Sequence, residues 1–138
     1  LSKKSAMSLS DQFCVERHKN SFLNLVKNNL DIVFANEQEI LSLIDTKSFE
    51  DVIQFSKEQK KNIIITRGKK GSVAVDDKGN IFECKAKENL NILDLTGAGD
   101  LFAAGFLHGM INNFSTQECL EKGTELSSII IQKIGARI

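Results

Sequence analysis

Two short, unbroken runs of apolar residues constrain the fold more than any other feature of this sequence. The first run is IVFA at residues 32–35, and the second is III at residues 63–65. A strand with one face in water alternates polar and apolar residues, whereas an unbroken apolar strand is buried on both faces, as in parallel sheets covered by helices. The sequence therefore predicts an α/β fold with parallel strands at its centre.

The stretches between these runs have the spacing of helices. Apolar residues recur at helical intervals over 15–28, residues 37–44 form a short helix, and Ser48 with Asp51 resembles a capping box that opens another. Further strands are predicted at Ala6–Ser10, Asn62–Arg67, Ser72–Val75, Ile81–Lys87 and Ile92–Leu95, and further helices at Leu101–Ile111 and from the Ser115/Glu118 cap toward Lys133. This alternation predicts a doubly wound, three-layer sheet with one β-hairpin.

Composition argues against several classes of partner. Lys and Arg together number 18, as do Asp and Glu, so no net field attracts nucleic acid or an anionic membrane. No apolar run reaches the roughly 18 residues of a membrane-spanning helix, and Cys14, Cys84 and Cys119 lack any CxxC spacing. We expect a cytoplasmic protein with reduced thiols that binds neither nucleic acid nor membrane.

The segment DLTGAGD, residues 94–100, lies between a predicted strand and an apolar helix. Gly97 and Gly99, with Ala98 between them, permit a tight turn whose N–H groups point at one spot over a helix N-terminus, which forms an anion hole. Asp100 would stand beside that spot and could accept a proton from a hydroxyl that attacks phosphorus. The alternative is that the glycines make an ordinary turn and Asp100 caps the helix.

Two better-known phosphate-binding loops do not fit the sequence. The third glycine of a dinucleotide-binding GxGxxG would fall on Phe102, and no acidic strand end follows at the required distance. Residues 68–72, GKKGS, have the wrong glycine spacing for a Walker A loop and lead into a strand instead of a helix. Neither a Rossmann dehydrogenase nor a P-loop NTPase is predicted.

DLTGAGD followed by LFAAGF resembles the second signature of the ribokinase-like (PfkB) carbohydrate kinases, a family that includes adenosine kinase. Asn36–Glu39 matches the family's NxxE motif, and Thr66–Gly71 matches its TxGxxG segment, in the family's order. The resemblance implies a ribokinase-like, Rossmann-like sheet. It covers only the family's second half, so residues 1–138 are expected to be the C-terminal nucleotide-binding and catalytic portion, without the substrate-binding half and lid. SDQFCVERHKN, at residues 10–20, and DLTGAGDLFAAGFLHG, at residues 94–109, look closer to adenosine kinase-like bacterial members of the family than to its fructose-phosphate kinases.

The resemblance assigns catalysis to the glycine turn. Asp100 would be the general base that activates the acceptor hydroxyl, and Gly97, Ala98 and Gly99 would donate N–H groups to the transferring phosphoryl group. Asp94 and Thr96 correspond to a monovalent-cation site that would hold K⁺, although Leu95 departs from the small residue usual between them.

The other two motifs would hold the nucleotide. Asn36 and Glu39 would orient Mg²⁺ and its waters against the phosphates of ATP; the same pair is also a common helix start. Thr66, Gly68 and Gly71 would shape the nucleotide pocket, with a simple hairpin as the alternative.

The resemblance implies transfer of the γ-phosphoryl group of ATP to a hydroxymethyl group of a sugar or nucleoside. A rival interpretation is a nucleotide-binding fragment that cannot hold the acceptor in line, and a third is a structural α/β domain with a vestigial glycine turn. Because removing half of such a fold exposes apolar surface, we expect the isolated chain to self-associate, as a homo-oligomer or an aggregate.

Overall fold

The computed structural model describes residues 6–8, 18–28, 30–85 and 98–136, and for residues 6–8, 69, 98–100 and 128–136 it describes the backbone alone. The described strands are β1 (Ala6–Ser8), β2 (Ile32–Asn36), β3 (Asn62–Thr66), β4 (Ser72–Val75) and β5 (Ile81–Cys84). The described helices are α1 (Lys19–Asn28), α2 (Glu37–Leu43), α3 (Phe49–Gln59), α4 (Ala98–Ile111) and α5 (Thr116–Ala136). Within these ranges no helix is long and apolar enough to cross a membrane. The strand predicted at Ile92–Leu95 lies outside the described residues.

The five described strands form one sheet in the order β1-β2-β3-β4-β5. β1 and β3 both pair with β2 in parallel, and the register places Ile32 beside Asn62 and Asn36 beside Thr66. Residues 67–71 connect β3 to β4, and residues 76–80 connect β4 to β5. These connections are too short for the crossover of about a dozen residues that a parallel pair needs, so both pairs are antiparallel.

By its contacts the chain divides into two compact units: Leu1–Thr66 with Ala74–Ile81, and Arg67–Val73 with Phe82–Ile138. The first unit contains a core built on alternate residues of β2 and β3, together with one face of helices α1 to α3. Its buried members are Val26, Leu30, Val33, Ala35, Ile40, Leu43, Val52, Ile63 and Ile65.

The residues between those alternate positions are buried as well. Ile32, Phe34 and Ile64 are at most 5% exposed, although successive side chains of a strand point to opposite faces of a sheet. β2 and β3 are therefore buried on both faces. The prediction drawn from the two apolar runs is confirmed.

The start of α3 differs from the prediction. Ser48 occupies the N-cap position, but its side chain makes no capping hydrogen bond. Instead, the Thr46 hydroxyl donates to Oδ2 of Asp51 at 2.5 Å and accepts the backbone N–H of Ser48 at 3.1 Å. The predicted capping box of Ser48 with Asp51 is wrong, because Thr46 holds the carboxylate that the box would have used.

The second unit contains the helix pair α4 and α5, whose connection is set by two local motifs. Asn113, at φ +61°, ends α4 in a Schellman motif: its N–H bonds to the carbonyl of Met110 at 3.1 Å, and that of Phe114 bonds to Gly109 at 2.9 Å. Ser115 then opens α5. Such a short connection makes the helices antiparallel neighbours.

The predicted cap of α5 is confirmed. The Ser115 hydroxyl accepts the Glu118 N–H at 3.2 Å, and the Glu118 carboxylate accepts the Ser115 N–H at 3.1 Å. Hydrogen bonds to the Glu118 carboxylate, first from the Ser115 backbone N–H and then from the Ser115 side chain, hold the pKa of Glu118 below its ordinary value. At the start of α5, two backbone N–H groups that have no acceptor within the helix, those of Ser115 and Glu118, are therefore hydrogen-bonded.

The two helices touch through glycines. A Cβ on Gly105 would lie 2.9 Å from Cα of Gly123 and from the carbonyl oxygen of Lys122, and a Cβ on Gly123 would lie 2.8 Å from the carbonyl of Phe102. No side chain fits at such distances. The glycines therefore allow the backbone of α5 to approach the first half of α4.

Candidate functional site

Asn36 and Thr66 are the last residues of the neighbouring parallel strands β2 and β3 and lie side by side in register. Ligands of open α/β sheets bind beyond the carboxyl ends of the parallel strands. Asn36 is exposed and Thr66 is half-buried. The structure therefore brings these two predicted residues together at the edge of the sheet where a ligand is expected.

Glu39 joins them through α2. Oδ1 of Asn36 accepts the N–H of Glu39 at 2.7 Å, and Oε1 of Glu39 accepts the N–H of Asn36 at 2.9 Å, which is a complete capping box. Glu39 is only 5% exposed. The helix-start interpretation of this pair is thus correct as local structure, and it leaves a further role in ligand binding open.

The pair also offers suitable chemistry for Mg²⁺. Carboxylate and amide oxygens are the hard donors that this ion accepts, and it keeps several of its waters when bound. In the described part of the chain no three His, Cys, Asp or Glu side chains cluster at metal-binding distance. The donor set therefore suits a hydrated Mg²⁺ better than a fully protein-ligated one.

The turn after β3 depends on its two glycines. Gly68 has φ +58°, and Gly71 has φ +95° with ψ −139°, a combination open only to glycine. The N–H of Arg67 donates to Gly71 at 2.7 Å, and that of Gly71 donates to Gly68 at 3.1 Å, which closes the turn. A Cβ at the exposed Gly68 would meet no described atom within 4 Å. The turn therefore presents bare backbone beside open space, where a ligand could approach closely.

Ser72, directly after this turn, is a residue that sequence reasoning missed. It is 3% exposed, and its hydroxyl has no hydrogen-bond partner among the described residues. A serine at the first position of a strand gives no sequence signal of such burial. Because the hydroxyl is buried, we assign it no ligand.

The glycine turn of residues 97–99 differs in form from the prediction. α4 begins at Ala98, three residues before the predicted start at Leu101, so Ala98 and Gly99 belong to its first turn. Asp100 is the third residue of the helix and not its N-cap. Gly97, Asp94 and Thr96 lie outside the described residues.

The described start of α4 includes two of the three residues predicted to donate N–H groups, Ala98 and Gly99. The first N–H groups of any α-helix lack intrahelical acceptors, and in α4 they include those of the described residues 98–100. They form the positive end of the helix dipole, which attracts phosphate. If an anion binds at this point, the first turn of the helix offers it N–H donors without a separate loop.

Comparison with known proteins places this geometry in a family. The profile of the pfkB family carbohydrate kinases matches residues 3–138. A probable sugar kinase from Rhizobium etli superposes with a TM-score of 0.90 at 38% identity over 96% of this chain. Adenosine kinase from Sinorhizobium meliloti superposes with a TM-score of 0.88, also at 38% identity, over 94% of the chain. The predicted α/β fold of ribokinase type is confirmed.

A third structure carries ligands. Ribokinase from Arabidopsis thaliana, complexed with ribose and ATP, superposes with a TM-score of 0.69 at 28% identity over 78% of this chain. This chain spans 40% of the R. etli kinase, 39% of the S. meliloti adenosine kinase and 36% of the ribokinase. The related proteins are thus sugar and nucleoside kinases more than twice as long as the matched segment.

Proposed function

Because the chain belongs to the PfkB family of carbohydrate kinases, we propose that it is the C-terminal nucleotide-binding and catalytic portion of an ATP-dependent kinase. The observation that carries this proposal is the start of α4 within the GAGD sequence. There the unpaired N–H groups of a helix N-terminus and a carboxylate occur within three residues. Phosphoryl transfer depends mainly on positioning and on stabilising charge, and this arrangement supplies both.

In the proposed reaction Asp100 accepts the proton of the acceptor hydroxymethyl group as the hydroxymethyl oxygen attacks the γ-phosphorus of ATP; the bond from that phosphorus to its bridging oxygen breaks, and ADP leaves. General bases of this kind contribute about a hundred- to ten-thousandfold in rate. Gly97, Ala98 and Gly99 donate N–H groups to the oxygens of the transferring phosphoryl group, and each such donor is worth roughly 3 kcal/mol in the transition state.

The nucleotide would be held by the other two motifs. Thr66, Gly68 and Gly71 form its pocket, a role supported by the positive φ angles of both glycines. Asn36 and Glu39 together orient Mg²⁺ and its waters, which when bound neutralise charge on the phosphates. Asp94 and Thr96 would hold K⁺ beside the glycine turn.

The acceptor is a sugar or a nucleoside. The chain is equally identical, at 38%, to a sugar kinase and to an adenosine kinase, so identity does not separate the two classes. The acceptor half of such an enzyme corresponds to the part of the related kinases outside the match. We therefore propose that the isolated chain binds ATP without phosphorylating an acceptor, as a catalytically incompetent nucleotide-binding fragment.

The cellular setting follows from the same proposal. We place the kinase in the cytoplasm, and the balance of 18 basic and 18 acidic residues in this chain leaves no net field that would attract nucleic acid. We also propose that the isolated chain self-associates, through apolar surface that the remaining part of a full-length kinase would cover.

A chimera tests the function. This chain would replace the matching 39% of the S. meliloti adenosine kinase, and transfer from ATP to adenosine would be measured for the chimera, the unmodified kinase and the isolated chain. We expect transfer by the chimera and ATP binding without transfer by the isolated chain. A folded chimera that binds ATP but transfers nothing would favour the incompetent fragment, and one that binds no ATP would refute the proposal.

A further inference from the structure

The turn between β3 and β4 carries a local excess of positive charge. Residues 67–75, RGKKGSVAV, contain Arg67, Lys69 and Lys70 and no acidic residue, although the whole chain has 18 basic and 18 acidic residues. Cations this close in sequence repel one another, and a bound anion offsets that repulsion. The turn is therefore suited to an anionic ligand.

Lys70 presents its charge to the solvent. It is exposed, whereas Arg67 is half-buried. The Lys70 ammonium group forms no ion pair with a carboxylate in the part of the chain that the structure describes. Its backbone is held in place, because the N–H of Lys70 donates to the carbonyl of Arg67 at 3.1 Å and the next N–H, that of Gly71, donates to Gly68 at 3.1 Å. A fixed backbone thus carries a cation that a ligand can reach.

The place of this turn in the fold relates the charge to the proposed nucleotide. The turn belongs to the same compact unit as α4, whose first N–H groups are proposed to contact the transferring phosphoryl group. Gly68 and Gly71, on either side of the lysine pair, are proposed to shape the nucleotide pocket. The phosphates are the anionic part of ATP, and lysine binds phosphate as a point charge. They are therefore the part of the nucleotide that matches this turn.

We infer that the Lys70 ammonium group binds the phosphate chain of ATP and so makes the nucleotide site selective for nucleoside polyphosphates over nucleosides. This inference rests on the proposed function and adds a specificity-determining residue to it. Such selectivity matters to a chain that resembles an adenosine kinase, because ATP and adenosine share their base and sugar. An acceptor nucleoside in the nucleotide site would block the reaction.

Two substitutions at position 70 test the charge. Lys70→Gln removes it and keeps an unbranched polar side chain, whereas Lys70→Arg retains it. Lys78→Gln is the matched control, because Lys78 is also exposed but lies in the turn that follows β4. For the parent chain and each variant, Kd for ATP is measured over a range of NaCl concentrations, adenosine is tested as a competitor, and urea unfolding is followed without nucleotide.

We expect Lys70→Gln to unfold at the same urea concentration as the parent and to bind ATP about three- to tenfold more weakly at low salt. Because salt screens exposed charges, this difference should narrow as NaCl is added. The affinity for adenosine should change less than about twofold, since adenosine carries no phosphate. Lys70→Arg and Lys78→Gln should bind ATP within about twofold of the parent.

Three results would overturn the inference. They are a Lys70→Gln chain that binds ATP like the parent, one that loses affinity for adenosine and ATP equally, and a Lys78→Gln chain that is weakened as much as Lys70→Gln. The second would assign Lys70 to the shape of the turn, and the third would reduce the effect to net charge. A parent that binds no ATP would refute the proposed function itself, whereas each of these three results, with a parent that binds ATP, would refute only this inference.

Discussion

The contact between α4 and α5 gives a prediction whose size follows from the structure. Gly105→Ala would place a Cβ 2.9 Å from Cα of Gly123, whereas carbon atoms in contact lie about 3.5–4.0 Å apart. The atoms it meets are backbone atoms, so no side chain can swing away. The two helices would have to separate by roughly 0.6–1.1 Å at this point.

Two opposing terms set the magnitude. Alanine is a better helix former than glycine by about 1 kcal/mol, whereas overpacking of this kind costs about 1–3 kcal/mol. The backbone clash places Gly105→Ala in the upper part of that range, so we expect a net loss of about 1–2 kcal/mol in the free energy of unfolding. Because α4 begins with the N–H groups proposed to contact the transferring phosphoryl group of ATP, the same displacement should also weaken ATP binding.

Urea unfolding followed by circular dichroism measures the effect. Ala104→Gly, at the exposed neighbouring position of α4, reports the helix-propensity term alone and should cost about 1 kcal/mol. If Gly105→Ala were as stable as the parent or more stable, α4 and α5 would not pack at their glycines. The reasoning from backbone distances would then be refuted.

Three further outcomes are expected from urea unfolding. The pKa of Glu118 is lowered in the folded chain by hydrogen bonds from Ser115, so its stabilising contribution is present above the unfolded pKa and is lost as pH falls through the folded one. Glu118→Gln should therefore reduce the loss of stability between neutral pH and pH values below 4.5, the ordinary pKa of the group. Ser72→Ala should leave stability unchanged or raise it by up to about 1 kcal/mol, because the buried hydroxyl has no described partner; a loss above that size would reveal one. Lys60→Gly should stabilise the chain by about 1 kcal/mol, since Lys60 ends α3 at φ +56°; no gain would show that the conformation costs nothing.

Much of the fold could be predicted because burial on both faces of a sheet requires unbroken apolar runs. β2 and β3 follow directly from residues 32–35 and 63–65, and the cap of α5 follows from Ser115 and Glu118. A local capping pattern gave a wrong prediction where a neighbouring side chain bound the carboxylate that the pattern required. Ser48 and Asp51 match a capping box in sequence, yet the Thr46 hydroxyl holds the carboxylate.

A helix after the GAGD sequence was predictable, but the residue at which it begins was not. The GAGD sequence indicated an anion site, and glycine's poor helix propensity suggested a separate turn. The first turn of a helix tolerates glycine because its N–H groups make no intrahelical bonds, so α4 begins at Ala98. The burial of Glu39 depends on packing around α2, so the sequence did not predict it. The N-x-x-E spacing was the only sequence feature that indicated the capping box.

Substitution of Asp100 in the chimera with the S. meliloti adenosine kinase tests the central claim most directly. Asp100→Asn keeps the size of the side chain and removes its basicity, and Glu121→Gln, at an exposed position of α5, controls for the loss of one negative charge. We predict that Asp100→Asn lowers kcat for adenosine by about a hundredfold or more with ATP affinity unchanged, while Glu121→Gln behaves as the parent. An Asp100→Asn chimera that turns over like its parent would show that Asp100 only supports the start of α4 and that this chain does not carry the catalytic base.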